Sequence, residues 1–189
     1  MAASIRGDPA FEPVWAELDR RSAVVFIHPG KPALSVPEGI PGPIVDYPFD
    51  TTRAAVQMAL NGVLDRYRRM RVILSHAGGF LPFAAERFAE AAALVRPNNS
   101  PAQTLEAFRR FYFDTALSSG PAALQSLKTF AGSGRILFGS DFPYAPAELG
   151  GKFTAKLDAD TALTDRDRAA INHENAHGLF ERRRKPASA

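Results

Sequence analysis

Short runs of β-branched and aromatic residues alternate along this chain with longer stretches whose apolar positions recur at helical spacing. That alternation is the pattern of βα units around a parallel sheet. Residues 9–21 read as a helix, with Pro9 near its start and Phe11, Val14, Trp15 and Leu18 on one face. A first strand at 23–28 leads into a Pro/Gly-rich stretch, 29–48, which reads as a long loop of the kind that often carries function. Asp50 or Thr51 is placed to cap a helix over 52–69, whose buried stripe is Ala55, Val56, Ala59, Leu60, Val63 and Leu64. A second strand at 71–76 turns through Gly78-Gly79 into a helix that begins near Leu81-Pro82. A helix at 102–110, a strand at 111–115, a helix opened by Gly120-Pro121 and running to 131, a strand at 135–140 and helices at 163–171 and 173–182 follow. Four strands with their following helices make half of an eight-stranded barrel, whose whole usually takes about 250 residues.

Composition narrows the class. At 189 residues and 46% hydrophobic content the chain is expected to be a single domain over 1–181, followed by a basic tail at 182–189. The net charge of +3 owes much to Glu181-Arg182-Arg183-Arg184-Lys185-Pro186, and a terminal charge run is ordinarily a solvated segment. Neither a nucleic acid nor a membrane is expected as a partner. The absence of cysteine excludes disulfides, thiolate catalysis and thiolate metal ligation. No apolar stretch approaches the roughly 18 residues of a membrane span. Met1-Ala2-Ala3-Ser4-Ile5-Arg6 lacks the apolar core of a signal peptide, so the expected setting is cytoplasmic. Arg6-Gly7-Asp8 matches an adhesion tripeptide, but nothing else in the chain reads as extracellular.

Chemistry gathers at the strand ends. Val24-Val25-Phe26-Ile27 closes on His28, Val72-Ile73-Leu74-Ser75 on His76, and Ile136-Leu137-Phe138-Gly139-Ser140 on Asp141. Parallel α/β folds place their active sites at that end of the sheet. His28 is either a metal ligand or a strand-end histidine satisfied by hydrogen bonds, and Pro29-Gly30 carries the chain sharply away from it. His76, before Gly78-Gly79, suits general acid or base work, with a structural histidine beside a glycine turn as the other reading. Asp141 either ligates a divalent cation and handles protons on its water, or caps a turn before Pro143. Asp114 ends the third strand in a similar way and ranks below these three. His173-Glu174-Asn175-Ala176-His177 spells H-E-x-x-H. Beyond His177 the chain up to Pro186 offers one acidic residue, Glu181, as a third ligand, so a packed terminal helix is the better reading.

Taken in order, Phe26-Ile27-His28-Pro29, Asp50-Thr51-Thr52-Arg53-Ala54-Ala55, Val72 to Pro82, Ile136 to Tyr144 and Asn175-Ala176 resemble the amidohydrolase superfamily. The likeness is to its amidohydrolase-related branch, which includes the aminocarboxymuconate-semialdehyde, γ-resorcylate and 6-methylsalicylate decarboxylases. It implies an α/β fold, the C-terminal half (strands five to eight) of a distorted TIM (β/α)8 barrel with a parallel sheet. It further implies that His28 and Asp141 are metal ligands, that His76 and Asp141 are catalytic, and that Arg87 binds a substrate carboxylate across a dimer interface. Alternatively, Arg87 is a helix-surface residue paired with Glu86 or Glu90. The cofactor implied is a divalent metal, Zn2+ in the first place with Mn2+ as the alternative. The family's His-x-His or Glu-x-His pair does not precede His28, so a homo-oligomer or a complementing N-terminal half is expected as partner. The activity implied is decarboxylation of a small aromatic or cyclic carboxylate. The alternatives are a hydrolase on the same metal frame and a catalytically inactive half-barrel interaction module.

Overall fold

The computed structural model describes residues 9–30, 39–96 and 98–181. The tripeptide 6–8, part of the stretch 29–48 and the basic tail 182–189 lie outside the described residues. Strands β1 (Val24–Ile27), β2 (Arg71–Leu74), β3 (Tyr112–Asp114) and β4 (Ile136–Leu137) form one sheet in the order β1-β2-β3-β4, parallel throughout. Register places Ile27 beside Leu74, Leu74 beside Phe113, and Phe113 beside Ile136. These four side chains are buried on one face, in a core shared with Ala54, Met58, Leu81, Phe108 and Leu124 from the helices. The opposite face carries Val24, Ile73, Tyr112 and Leu137, which pack with Ala176 and Leu179. Side chains alternate across a strand, so the residues that end the strands on this second face rise above an apolar layer.

The helices are α1 (Glu12–Arg20), α2 (Gly42–Leu60), α3 (Val63–Arg66), α4 (Leu81–Val95), α5 (Pro101–Arg109), α6 (Pro121–Ala131), α7 (Ala147–Ala159), α8 (Asp165–Ala169) and α9 (Asn175–Glu181). Two expectations are corrected. The helix expected over 52–69, with Asp50 or Thr51 as its cap, instead starts at Gly42, so both residues lie inside α2 and the last third of the expected loop is helical. It also stops at Leu60, and Gly62 in the left-handed conformation separates it from α3. Pro43 suits the first turn, where its missing N–H is no loss. Pro48 sits within the helix, and the Thr51 and Thr52 hydroxyls donate to the carbonyl oxygens of Tyr47 and Pro48 at 3.2 and 2.8 Å. Burial of Thr51, Thr52, Ala54, Ala55 and Met58 in the core beside α4, α5 and the turn at 76–78 offsets the proline's cost of about 3 kcal/mol.

The second correction is α7, which falls in a stretch with no expected helix. The strands are also shorter than expected. The two terminal helices run into one another through a π turn at Ala170–Glu174. Asn175, at its end, donates from Nδ2 to the carbonyl oxygens of Ser133 and Ile136, both at 2.7 Å, and so ties α9 to β4. Among the described residues no helix is long and apolar enough to cross a membrane.

Candidate metal centre

Each strand end delivers its functional side chain through a different local device. His28 follows β1 directly, and its Nδ1 lies 2.8 Å from the Pro29 carbonyl oxygen. A carbonyl can only accept, so Nδ1 carries the proton and Nε2 keeps the lone pair that a metal would use. His76 opens a turn in which four consecutive residues have positive φ: His76 53°, Ala77 54°, Gly78 73° and Gly79 64°. Glycine takes that conformation freely, whereas His76 and Ala77 must be held in it. The Oδ1 of buried Asp114, at the end of β3, accepts the main-chain N–H of His76 at 2.7 Å and that of Ala116 at 3.1 Å. Asp141 is likewise left-handed, φ 63°, and its carbonyl oxygen accepts the N–H of Ala145 at 2.8 Å. A cis peptide joins Phe142 to Pro143 just beyond it.

These devices converge. Asp141 Oδ1 stands 3.6 Å from His28 Nε2 and 3.7 Å from His76 Nε2, and the two imidazole rings are 5.1 Å apart. One ligand atom from each of the three residues lies within 4.8 Å of the others. Both nitrogen-to-oxygen separations are long for hydrogen bonds. They are close to the about 3.4 Å expected between ligand atoms that each sit about 2.1 Å from one tetrahedral cation. His76 Nδ1 is buried and has no hydrogen-bond partner among the described residues. Burial holds the His76 imidazole below its ordinary pKa; the neighbouring His28 pushes the same way, and Asp141 opposes both. A neutral imidazole is the form that ligates a metal or accepts a proton. Two imidazoles and a carboxylate aimed at one point fit a divalent metal.

The three residues line a cavity of about 890 Å3 that also takes in Phe26, Tyr47, Phe138 and Tyr144. The rings of Phe26, Tyr47 and Tyr144 lie 6.3, 6.4 and 6.1 Å from the His28 ring. The structure thus brings together His28, His76 and Asp141 as the sequence implied. Arg87 lies on the exposed side of α4 and does not line the cavity. His173 and His177 are exposed, the first inside the π turn, and neither belongs to a metal-ligand group among the described residues. The aromatic wall escaped sequence reasoning. Phe26 signals it faintly, two residues before His28 and therefore on the same face of β1.

Comparison with known proteins identifies the family and the fold. The amidohydrolase family model matches residues 2–182. The 6-methylsalicylic acid decarboxylase of Penicillium expansum is 43% identical over 181 residues, covering 93% of this chain and 55% of its own length. The crystal structure of an amidohydrolase II superposes with a TM-score of 0.82 at 32% identity, over 92% of this chain and 56% of that one. A dihydroxybenzoic acid decarboxylase from Polaromonas sp., solved with bound manganese and an inhibitor, shares the fold at 22% identity and a TM-score of 0.77, over 98% of this chain and 58% of that one. The chain spans about half the length of the curated relatives it matches. Its parallel order and this coverage bear out the half-barrel expectation. The chain belongs to the amidohydrolase family.

Proposed function

We propose that this chain carries the metal-binding and proton-handling part of a decarboxylase for small aromatic carboxylic acids. The observation that supports it is the meeting of His28, His76 and Asp141 on the floor of an aromatic-lined cavity. In this reading His28 and Asp141 hold the metal, with zinc as the proposed ion and manganese as its alternative, and the bound ion supplies positive charge to the substrate's oxygens. Phe26, Tyr47 and Tyr144 provide faces and edges against which a substrate ring packs. His76, neutral before the substrate binds, takes up a proton from solvent and holds it as the imidazolium. When the carboxylate leaves as carbon dioxide its bonding pair stays on the ring carbon, and that carbon takes the proton from the imidazole. Arg87, exposed on α4, meets a substrate carboxylate only across a contact with a second copy, where its planar fork suits bidentate binding. The partner in this reading is that second copy or a chain supplying the other strands of the barrel.

Metal analysis and product detection test the reading. The purified chain is expected to hold zinc or manganese near one ion per chain, lost in His28→Ala and in Asp141→Ala, and to release carbon dioxide from 6-methylsalicylate. A chain that takes up neither metal and releases none would leave an inactive interaction module in its place.

A further inference from the structure

Asp114 takes no direct part in the reaction described above, yet it is the most enclosed charged group beside it, only 5% exposed. It ends β3 on the sheet face that carries His28 and the cavity, between the ends of β2 and β4. On the β4 side, a Cβ added to Gly139 would meet the Cβ, Cγ and Oδ2 of Asp114 at 3.0 Å, so the carboxyl group is wedged in place. On the β2 side its Oδ1 takes the N–H of His76 across 38 positions of sequence. Burial pushes the Asp114 carboxyl up to about 6, and the N–H groups of Ala116, His76 and Ala77, which favour its ionised form, oppose that rise. His76 and Ala77 are the two non-glycine members of the left-handed turn. Left-handed backbone costs an ordinary residue about 1–2 kcal/mol, and a hydrogen bond to a carboxylate is roughly twice as strong as one between neutral groups. The far end of the turn is held separately, because Phe80 N–H donates to Thr52 Oγ1 at 2.8 Å. Asp114 is therefore the anchor at the histidine end.

We propose that Asp114 is a positioning residue for His76, whose main-chain N–H it holds so that the left-handed turn aims the imidazole at Asp141 and His28. The inference rests on the proposed role of His76 and adds what sets that side chain's direction. Free of this anchor, His76 returns to an extended backbone and its ring leaves the group. A residue that merely fills space would have no such specific effect on one side chain.

Ala77 supplies the discriminating test. Glycine adopts the φ of 54° freely, so Ala77→Gly lowers the need for the anchor without touching Asp114. Zinc affinity and amide exchange of the metal-free chain are measured for wild type, Asp114→Ala, the double variant Asp114→Ala/Ala77→Gly, and Phe108→Leu, a core change beneath the other face of the sheet. Asp114→Ala is expected to expose the His76 amide while those of Val72 and Leu74 stay protected, and to weaken zinc about 10-fold to 100-fold, the usual size for loss of a residue that supports a ligand. The double variant is expected to regain at least about threefold of that loss, and Phe108→Leu to lose stability without losing affinity. A protected His76 amide in Asp114→Ala overturns the inference, as does a double variant that regains nothing. If Asp114→Ala does not fold, a folded double variant with an exposed His76 amide supports it, and one that stays unfolded, or folds with that amide protected, overturns it. A wild-type chain that binds no zinc refutes the proposed function instead, and the metal-free amide pattern still decides the role of Asp114.

Discussion

Gly79 shows how tightly single positions are set around the site. A Cβ there would lie 2.1 Å from the Pro48 carbonyl oxygen and 2.6 Å from Thr52 Oγ1, at a φ of 64° that disfavours a side chain in any case. Gly79→Ala must therefore push α2 away from the His76 turn. It is expected to destabilise the chain by about 3 kcal/mol or more in urea unfolding and to lower metal affinity, because the turn that carries His76 moves with it. An alanine variant of wild-type stability would show that the contact with Pro48 is not fixed. At this scale much of the site was legible in the sequence. His28, His76 and Asp141 each close a hydrophobic run, and a parallel sheet turns that placement into convergence. Asp114 was visible as a residue, but its work was not, since a side chain that accepts a main-chain N–H 38 positions away leaves no spacing to read. Arg87 was legible only as a family likeness, and its exposed place on α4 leaves its role to a contact between chains.

Helices were harder to read where their burial is narrow. Over α7, Gly150 and Leu157 are the buried residues, and the glycine pair Gly150-Gly151 weakens the helical signal from the sequence. Its C-terminal end is held from outside: Arg168 Nη1 donates to the carbonyl oxygens of Asp158 and Asp160 at 3.0 and 2.9 Å, and Nη2 to that of Leu163 at 2.9 Å. Arg168 belongs to α8, whose start depends in turn on a reciprocal cap between Thr164 and Asp167. The Asp167 carboxylate also takes Lys128 Nζ at 2.7 Å, which joins α6 to α8. Lys128, followed by Ser133 and Thr164, holds this carboxyl well below the ordinary carboxylate range. A depressed carboxylate pKa contributes stability that is present above the unfolded value of about 3.9 and is lost as pH falls below it. Between pH 5 and pH 2 the wild-type chain is therefore expected to lose about 1 kcal/mol more stability than Asp167→Asn, which has no such charge to lose. Parallel acid-unfolding curves for the two proteins would deny the pairing its role. The early start of α2 was illegible for the opposite reason, since its prolines read as loop while the burial that overrides them depends on α4, α5 and the His76 turn further along the chain.

Across the whole molecule the two faces of the sheet differ. One is closed by helices over a continuous core that contains Phe108, Phe111 and Phe113, each fully buried. The other, above its small apolar layer, leaves Phe26 52% and Phe138 42% exposed, with Phe142, Tyr144 and Phe180 open beside them. The order of the strands makes β1 an edge, and its ladder is formed with β2. An apolar face next to an unpaired strand edge favours association with another chain. The βα alternation in the sequence was enough to read the parallel sheet, but the openness of this face depends on which side the helices leave uncovered, and that emerges only from packing. If the face is an interface, a charge on it should act more strongly than one elsewhere. Phe138→Glu is expected to shift the sedimentation profile of the chain toward monomer, whereas Phe83→Glu, at a more exposed aromatic on α4, tests the other side. The second variant doubles as a probe of Arg87, which lies one helical turn from Phe83. Dissociation by Phe138→Glu alone places the contact on the open face, where it would help to enclose the metal centre. Dissociation by Phe83→Glu alone places it on α4 and would support the cross-chain role proposed for Arg87. A profile that neither change alters would remove both faces as interfaces.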